Sequence, residues 1–164
     1  MALKRIEAGK RMSSAVIHNG MVYLAGFVAE TAAGKSVKEQ TADILQQIDG
    51  TLKAAGTNKT NIVKANIWLT DIKTWAEMNE AWDAWVVPGQ TPARATVESA
   101  LAAPGLDVEI MVEAAIVKKA SRAAKKAAPA KKAAKTSAKK AAPAKKAKPA
   151  KTAAKKAAKK ARKK

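Results

Sequence analysis

The sequence predicts an α+β domain in which two helices cover one face of a mixed β-sheet. Three kinds of signal support this fold class: a hairpin turn near the start, two segments with apolar residues at helical spacing, and further segments with strand character between and after them. In chain order the predicted elements are β-β-α-β-α-β-β. All of them fall within residues 1–117, whereas residues 118–164 show none of these patterns.

A β-hairpin is the first predicted element, at residues 16–25. Its two apolar runs flank Asn19-Gly20, a pair that favours the positive backbone angles of a tight turn. The first helix follows at 37–55, because Ser36 and Glu39 have the spacing of a capping box, which satisfies free amide groups at a helix start. Apolar residues recur at intervals of three and four through this segment, which predicts one buried stripe.

One strand, a second helix and two more strands complete the predicted domain. Residues 62–69 alternate between apolar and more polar side chains, which predicts a strand with one buried face. The second helix ends before Pro88-Gly89, and its apolar side chains are mostly large: Trp75, Met78, Trp82, Trp85 and Val86. We interpret this stripe as packing against the sheet, with stacking on a ligand as the alternative. The last two strands are predicted at 93–100 and 108–117.

Charge divides the chain into two parts. Residues 1–117 hold 11 Lys and Arg and all 13 Asp and Glu, a formal charge of −2, whereas residues 118–164 hold the other 21 Lys and Arg. About 117 residues are enough for one domain with its own core, but a Lys/Ala/Pro segment cannot bury enough apolar surface to form another. We therefore predict one globular domain, 1–117, and one disordered basic tail, 118–164.

Composition argues against several classes of protein. The chain has no Cys and a single His, His18, so we expect no disulfide, no metal site and no Cys nucleophile. It has no run of about 18 apolar residues, and its first residues lack the apolar stretch of a signal peptide. We expect a cytoplasmic protein without a membrane partner.

A two-layer fold of this size leaves the second face of its sheet uncovered. We expect copies of the chain to cover that face by associating in a closed ring, which would also create clefts between subunits. A small-molecule site is expected in such a cleft.

Two charged residues lie within strands that are otherwise apolar. Arg94 is the only Arg in residues 12–121, and its planar guanidinium could hold a carboxylate in a two-pronged geometry. An ion pair with Glu98, Asp107 or Glu109 is the alternative. The carboxylate of Glu109 could instead orient water or relay a proton.

Six segments, in this order and spacing, resemble the Rid family, the reactive-intermediate (enamine/imine) deaminases. They are Arg11-Met12-Ser13, Met21–Gly26, Gln47-Ile48-Asp49, Ala81–Trp85, Pro92–Val97 and Val108-Glu109-Ile110. The similarity covers about residues 3–117, and a Pro-x-Arg-x-x-Val strand followed by Val-Glu-Ile is the family's signature. The resemblance implies a chorismate-mutase-like α+β fold, a homotrimer, and three sites in the clefts between subunits.

The resemblance also implies roles for individual residues. In the family, the Arg of the signature strand binds the substrate carboxylate and the Glu of the last strand positions the hydrolytic water, which here implies Arg94 and Glu109 as catalytic residues. Backbone groups at Gly26 and Thr96 would line the same site. The implied reaction hydrolyses enamine and imine intermediates such as 2-aminoacrylate to 2-keto acids and ammonia, without a cofactor.

The chain departs from the family pattern at two substrate-binding positions. The best-known deaminases carry a Tyr near the N-terminus and a Ser just before the Gly, whereas the matching residues here are Met12 and Ala25. Two hydroxyl groups that would contact substrate are therefore missing. This departure leaves a second function open, in which an inactive domain serves as an oligomerisation scaffold or as a small-molecule sensor.

The basic tail is a low-complexity segment with an internal repeat and resembles the tails of linker histones. The nonamer Lys-Lys-Ala-Ala-Pro-Ala-Lys-Lys-Ala occurs at 125–133 and again at 139–147. Like charges four residues apart repel and prolines interrupt any helix, so we expect the free tail to be disordered. Nonspecific binding to the phosphates of nucleic acid is predicted for six of its lysine pairs, namely Lys125, Lys126, Lys131, Lys132, Lys139, Lys140, Lys145, Lys146, Lys155, Lys156, Lys159 and Lys160.

Two alternatives for the tail are a solubilising role and attachment to a membrane surface, although it lacks the apolar anchors of a membrane helix. DNA, RNA and polyphosphate all remain open as partners. Together with the Rid-like domain, the tail favours a cytoplasmic, nucleoid-associated protein of a bacterium. The sequence thus predicts either an imine deaminase tethered to nucleic acid or a DNA-binding protein built on an inactive trimer.

Overall fold

In the computed structural model, which describes residues 2–117, the chain forms seven β-strands and two α-helices. The helices are α1 (Val37–Ala54) and α2 (Trp75–Trp85). The strands are β1 (Lys4–Ala8), β2 (Ser13–His18), β3 (Met21–Leu24), β4 (Phe27–Val28), β5 (Ile62–Leu69), β6 (Ala93–Glu98) and β7 (Val108–Ala115). The predicted tail lies outside the described residues, so its disorder and its phosphate-binding lysines stay predictions.

The strands form one mixed sheet in the order β1-β2-β3-β7-β5-β6, with β4 also paired to β7. Strands β5 and β6 are parallel, and the other pairs are antiparallel. The predicted α+β class with a mixed sheet and two helices is confirmed. The predicted element order was wrong in that it lacked β1 and β4, and the last two strands end at 98 and 115 rather than at 100 and 117.

Helix α1 begins where its capping box predicts. The amide of Glu39 donates to the Ser36 hydroxyl at 3.3 Å, and the amide of Ser36 donates back to the Glu39 carboxylate at 3.2 Å. Four of its buried apolar residues, Ile44, Leu45, Ile48 and Leu52, join the core between the helices and the sheet. Neither helix of the described residues has the length and apolar character needed to cross a membrane.

The large apolar residues of α2 divide into a buried and an exposed group. Met78 and Trp82 are in the core, and Trp85 packs partly against it. Trp75, the first residue of the helix, is 49% exposed. The interpretation of the whole stripe as core was therefore wrong at Trp75, which extends the helical spacing but precedes the part of α2 that contacts the core.

The sheet has two chemically different faces. The helix face carries the buried residues of β5 and β7, which are Ala65, Ile67, Leu69, Val108, Ile110, Val112 and Ala114. The alternate residues of these strands lie on the open face, together with Tyr23 of β3 and Val97 of β6, which are 43% and 48% exposed. A residue's place in the register therefore decides which face it lies on.

A buried polar clamp ties α1 to the start of β7. Gln40, which is 0% exposed, donates to the carboxylate of Asp107 at 2.8 Å and accepts from the Asp107 amide at 2.9 Å. It also donates to the Lys35 carbonyl at 2.9 Å. This clamp fixes the start of the strand that carries Glu109.

Gln40→Met should lower the free energy of unfolding by about 1–3 kcal/mol, because it keeps the side-chain length but removes the hydrogen bonds to the half-buried Asp107. Urea unfolding measures the change. Gln46→Met on the exposed side of the same helix is the matched control and should alter stability by less than about 0.5 kcal/mol. Equal stability of the two variants would show that the clamp does not stabilise the domain.

Candidate functional site

Arg94 and Glu109, the two predicted catalytic residues, lie on neighbouring parts of the sheet but on opposite faces. Strand β5 runs between their strands, β6 and β7. Arg94 is opposite Ala65 of the helix face, whereas Glu109 is opposite Trp68 of the open face. The structure therefore does not bring the two side chains together within one copy of the chain.

The guanidinium of Arg94 lies over the ring of Trp82, with 5.0 Å between the guanidinium carbon and the ring centroid. Its Nη1 is buried and has no hydrogen-bond partner among the described residues. Burial lowers the pKa of Arg94 from its ordinary value, and the charge of Asp83 opposes this shift. The guanidinium nevertheless stays protonated, because the unperturbed pKa of Arg is far above neutral pH.

The alternative interpretation, an ion pair from Arg94 to a nearby carboxylate, finds no support within residues 2–117. Glu98 accepts from the amide of Ile72 at 2.9 Å, and Asp107 is held by the Gln40 clamp. Glu109 is on the other face. The cation is thus held by an aromatic face rather than neutralised by an acid.

Thr96 lies two residues after Arg94 on the same face, opposite Ile67. Its hydroxyl is also buried without a partner among the described residues. Because buried donors in proteins are nearly always paired, two unpaired donors on one strand are suited to an acceptor from outside the chain. A carboxylate is such an acceptor, since a guanidinium binds it with charge-assisted hydrogen bonds.

Glu109 lies in an apolar row on the open face. Its neighbours across the sheet are Trp68 on β5 and Val28 on β4, and Val97 lies beyond Trp68. The carboxylate packs directly on Gly26, because a Cβ added at residue 26 would overlap the carboxylate oxygen Oε1 of Glu109. Gly26 and Glu109 were predicted for one site from resemblance, and the structure places them in contact.

Met12 and Ala25 flank the same end of the sheet as Gly26. The amide of Ala25 donates to the carbonyl of Ser14 at 3.0 Å, and Met12, just before β2, is 60% exposed. Both side chains are apolar, so this end of the site lacks the hydroxyls of the family pattern.

Trp82 contacts Arg94 in this site, a role that neither interpretation of the stripe, packing against the sheet or stacking on a ligand, included. It lies 12 residues before Arg94, across the turn from α2 to β6. The sequence carries one relevant signal: a helix rich in Trp is followed by a strand with a single cation. When that cation is on the helix face of the sheet, it lies in the same layer as the aromatic rings of the helix.

The comparisons with known proteins agree on one family. The family model described as "Endoribonuclease L-PSP" matches residues 2–116. The chain is 45% identical over 116 residues to the RutC family protein YoaB of Escherichia coli, covering 71% of this chain and 100% of that protein. It is 33% identical over 106 residues to Reactive Intermediate Deaminase A, chloroplastic, of Arabidopsis thaliana, covering 62% of this chain and 55% of that one.

Solved structures give the same result. A member of the YjgF protein family from Neisseria meningitidis matches with a TM-score of 0.70 and 43% identity, over 72% of this chain and 98% of that one. A YjgF/YER057c/UK114 family member from Mycobacterium tuberculosis matches with a TM-score of 0.63 and 30% identity, over 70% and 99%. Over residues 2–116, the chain therefore belongs to the YjgF and RutC family, whose model is described as Endoribonuclease L-PSP.

Proposed function

We propose that the domain hydrolyses enamine and imine intermediates such as 2-aminoacrylate to 2-keto acids and ammonia, at sites formed by two copies of the chain. The observation that carries this proposal is the pair of buried, unpaired donors at Arg94 and Thr96, which suit a substrate carboxylate. A relative named Reactive Intermediate Deaminase A supports the reaction class. The proposed reaction uses no cofactor.

The proposed chemistry needs one cation to bind substrate and one carboxylate to move protons. 2-Aminoacrylate first tautomerises to an imino acid, as a proton moves from its nitrogen to its methylene carbon, and Arg94 and Thr96 hold the carboxylate of that imino acid. Water adds to the imine carbon while Glu109 accepts one of its protons and passes it to the nitrogen, giving a carbinolamine. A second proton transfer, from the new hydroxyl to the nitrogen, breaks the carbon–nitrogen bond and releases ammonia with the keto acid.

A homotrimer is part of this proposal, because a single copy keeps Arg94 and Glu109 on opposite faces. The open face has exposed apolar side chains at Tyr23 and Val97, which a neighbouring copy would cover. In the ring, Arg94 of one copy would meet Glu109 of the next. Light scattering should give the mass of three chains, and a monomer would contradict a shared site.

Release of ammonia and keto acid from freshly generated 2-aminoacrylate tests the reaction. We expect Arg94→Ala and Glu109→Gln each to lower the catalysed rate by about 10²–10⁴-fold, because each removes a group that acts in the transition state. Glu113→Gln is the matched control, since Glu113 lies on the same strand and face but pairs with Lys64. Catalysis that survives both active-site substitutions would contradict the proposed roles.

Gly26→Ala should lower the deamination rate by about tenfold or more, because its Cβ displaces the Glu109 carboxylate from its position. The melting temperature should change little, since the displaced atoms are the flexible end of a side chain. Gly50→Ala in α1 is the control: its Cβ meets no atom within 4 Å, so it should stabilise by about 0.5–1 kcal/mol and leave the rate unchanged. Equal rates for the two variants would contradict a role for the Gly26–Glu109 contact.

A second candidate function is a nucleoid-associated DNA-binding protein that uses an inactive domain as a scaffold or sensor. The tail with its 21 Lys and Arg favours nucleic-acid binding, and Met12 and Ala25 favour loss of catalysis. Under this function a carboxylate such as pyruvate raises the melting temperature, yet no ammonia is released from any imino acid. With either function we propose a location in the cytoplasm of a bacterium, at the nucleoid, because the basic tail would bind nucleic acid.

A further inference from the structure

We propose that Trp82 is a positioning residue for Arg94: its indole holds the guanidinium flat so that the in-plane donors remain free for a carboxylate. The inference rests on the proposed function, because it concerns the same carboxylate site. The guanidinium carbon lies 5.0 Å from the ring centroid, within the range of a cation–π contact.

The way in which Trp82 holds the cation differs from an ion pair. Stacking uses the flat face of the guanidinium, whereas a bound carboxylate uses the N–H groups at its edge. An acidic partner would occupy those same N–H groups and neutralise the charge. Among the described residues Arg94 has no such partner, and its Nη1 is unpaired. Trp82 thus fixes the cation without competing with the substrate.

Trp82 is itself held rigidly. It is 4% exposed within the core, and its ring lies 5.5 Å from that of Trp85 at 55°. Trp85 donates through Nε1 to the carboxylate of Asp49 on α1 at 2.9 Å. The ammonium group of Lys59 lies over the ring of Trp85, 5.2 Å from its centroid. The two rings therefore connect Arg94 to a fixed point on the other helix.

The rigid ring has a functional consequence. A free Arg side chain loses conformational freedom when it binds a carboxylate, and a stacked one has already lost it, so stacking favours binding of the substrate. The indole also reports on the site, because a carboxylate bound to Arg94 changes the electric field at the ring. Trp82 should contribute to substrate affinity and to the fluorescence response, but not to the bond-breaking steps.

Pyruvate, the keto acid expected from 2-aminoacrylate, is the probe for this inference, with the full chain. We expect Trp82→Phe to raise the Kd for pyruvate about fivefold, and the KM for 2-aminoacrylate by a similar factor, with kcat changed less than about twofold. Trp75→Phe is the matched control, because Trp75 is half-exposed at the first residue of the same helix. It should leave the Kd for pyruvate and the KM for 2-aminoacrylate unchanged. Pyruvate should change the fluorescence of wild type and of Trp75→Phe, and much less that of Trp82→Phe.

A double-mutant cycle separates positioning from a structural role. In the Arg94→Lys background, where no planar cation can stack, Trp82→Phe should raise the Kd by less than about twofold. Equal effects in the two backgrounds, or a fall in kcat at unchanged KM, would overturn the inference. If Trp82→Phe does not fold, the wild-type fluorescence decides: a pyruvate response that Arg94→Ala, which removes the cation, leaves intact also overturns the inference.

The outcomes also separate this inference from the proposed function. If deamination depends on Arg94 but Trp82→Phe leaves the Kd for pyruvate unchanged, the role of Trp82 is overturned and the proposed function still stands. If the wild-type chain neither deaminates 2-aminoacrylate nor binds pyruvate, the proposed function is overturned, and the inference about Trp82 with it.

Discussion

A mixture of Arg94→Ala and Glu109→Gln chains should recover about a quarter of the wild-type deamination rate, although each variant alone is nearly inactive. A shared site needs Arg94 from one copy and Glu109 from a neighbour. With random assembly of equal amounts, about half of the sites receive an intact Arg94, and about half of those face an intact Glu109. The recovery follows from the two faces of the sheet, because the register places these residues on opposite sides of every copy.

The mixing experiment has a matched negative control. Arg94→Ala mixed with the double variant Arg94→Ala/Glu109→Gln forms the same assemblies, but no site can regain Arg94. Two different affinity tags, one on each variant, confirm that the chains have exchanged. Mixed assemblies that stay inactive would contradict a site shared in this way, whereas recovery in the negative control would point to a reaction independent of Arg94.

Local chemistry explains why much of the fold could be predicted from the sequence. The Ser36 capping box and the apolar spacing after it both act within a few residues, so α1 ends within one residue of its prediction. The turn at Asn19-Gly20 is equally local, and both residues adopt the positive φ angles expected of that pair, 49° and 77°. Each of these elements carries its own signal.

Strands β1 and β4 could not be predicted because they carry no such signal. Four of the five residues of β1 are exposed, so no alternation marks it, and its pairing with β2 is what makes it a strand. Strand β4 has only two residues and exists through its pairing with β7. Both depend on partners elsewhere in the chain, which a local pattern does not contain.

The site was predictable by residue but not by geometry. A lone Arg and a lone Glu in apolar strands are visible in the sequence, yet the face that each occupies depends on how three strands pair. Parallel pairing sets Arg94 beside Ala65, and antiparallel pairing sets Glu109 beside Trp68. Since Ala65 and Trp68 are three residues apart on β5, an odd number, the two charges fall on opposite faces.

Binding of the full chain to duplex DNA should weaken about 10⁴-fold between about 50 and 200 mM salt. If about eight lysines of a tail engage phosphates, each releases part of a condensed counterion, so the log–log slope of affinity against salt is near −7. Fluorescence anisotropy with a labelled duplex measures that slope. Two duplexes of unrelated sequence should give the same value, because phosphate contacts carry no sequence information.

Substitution of the eight lysines in the two nonamers tests whether charge alone carries this binding. They are Lys125, Lys126, Lys131, Lys132, Lys139, Lys140, Lys145 and Lys146. Changing all eight to Gln should make the slope markedly shallower, whereas changing them to Arg keeps the charge and should keep the slope. Arg94→Ala should leave DNA binding unchanged, because Arg94 is half-buried against Trp82 and belongs to the proposed carboxylate site. Loss of DNA binding in Arg94→Ala, or an unchanged slope in the Gln variant, would contradict the proposal that the tail binds DNA and the domain binds carboxylates.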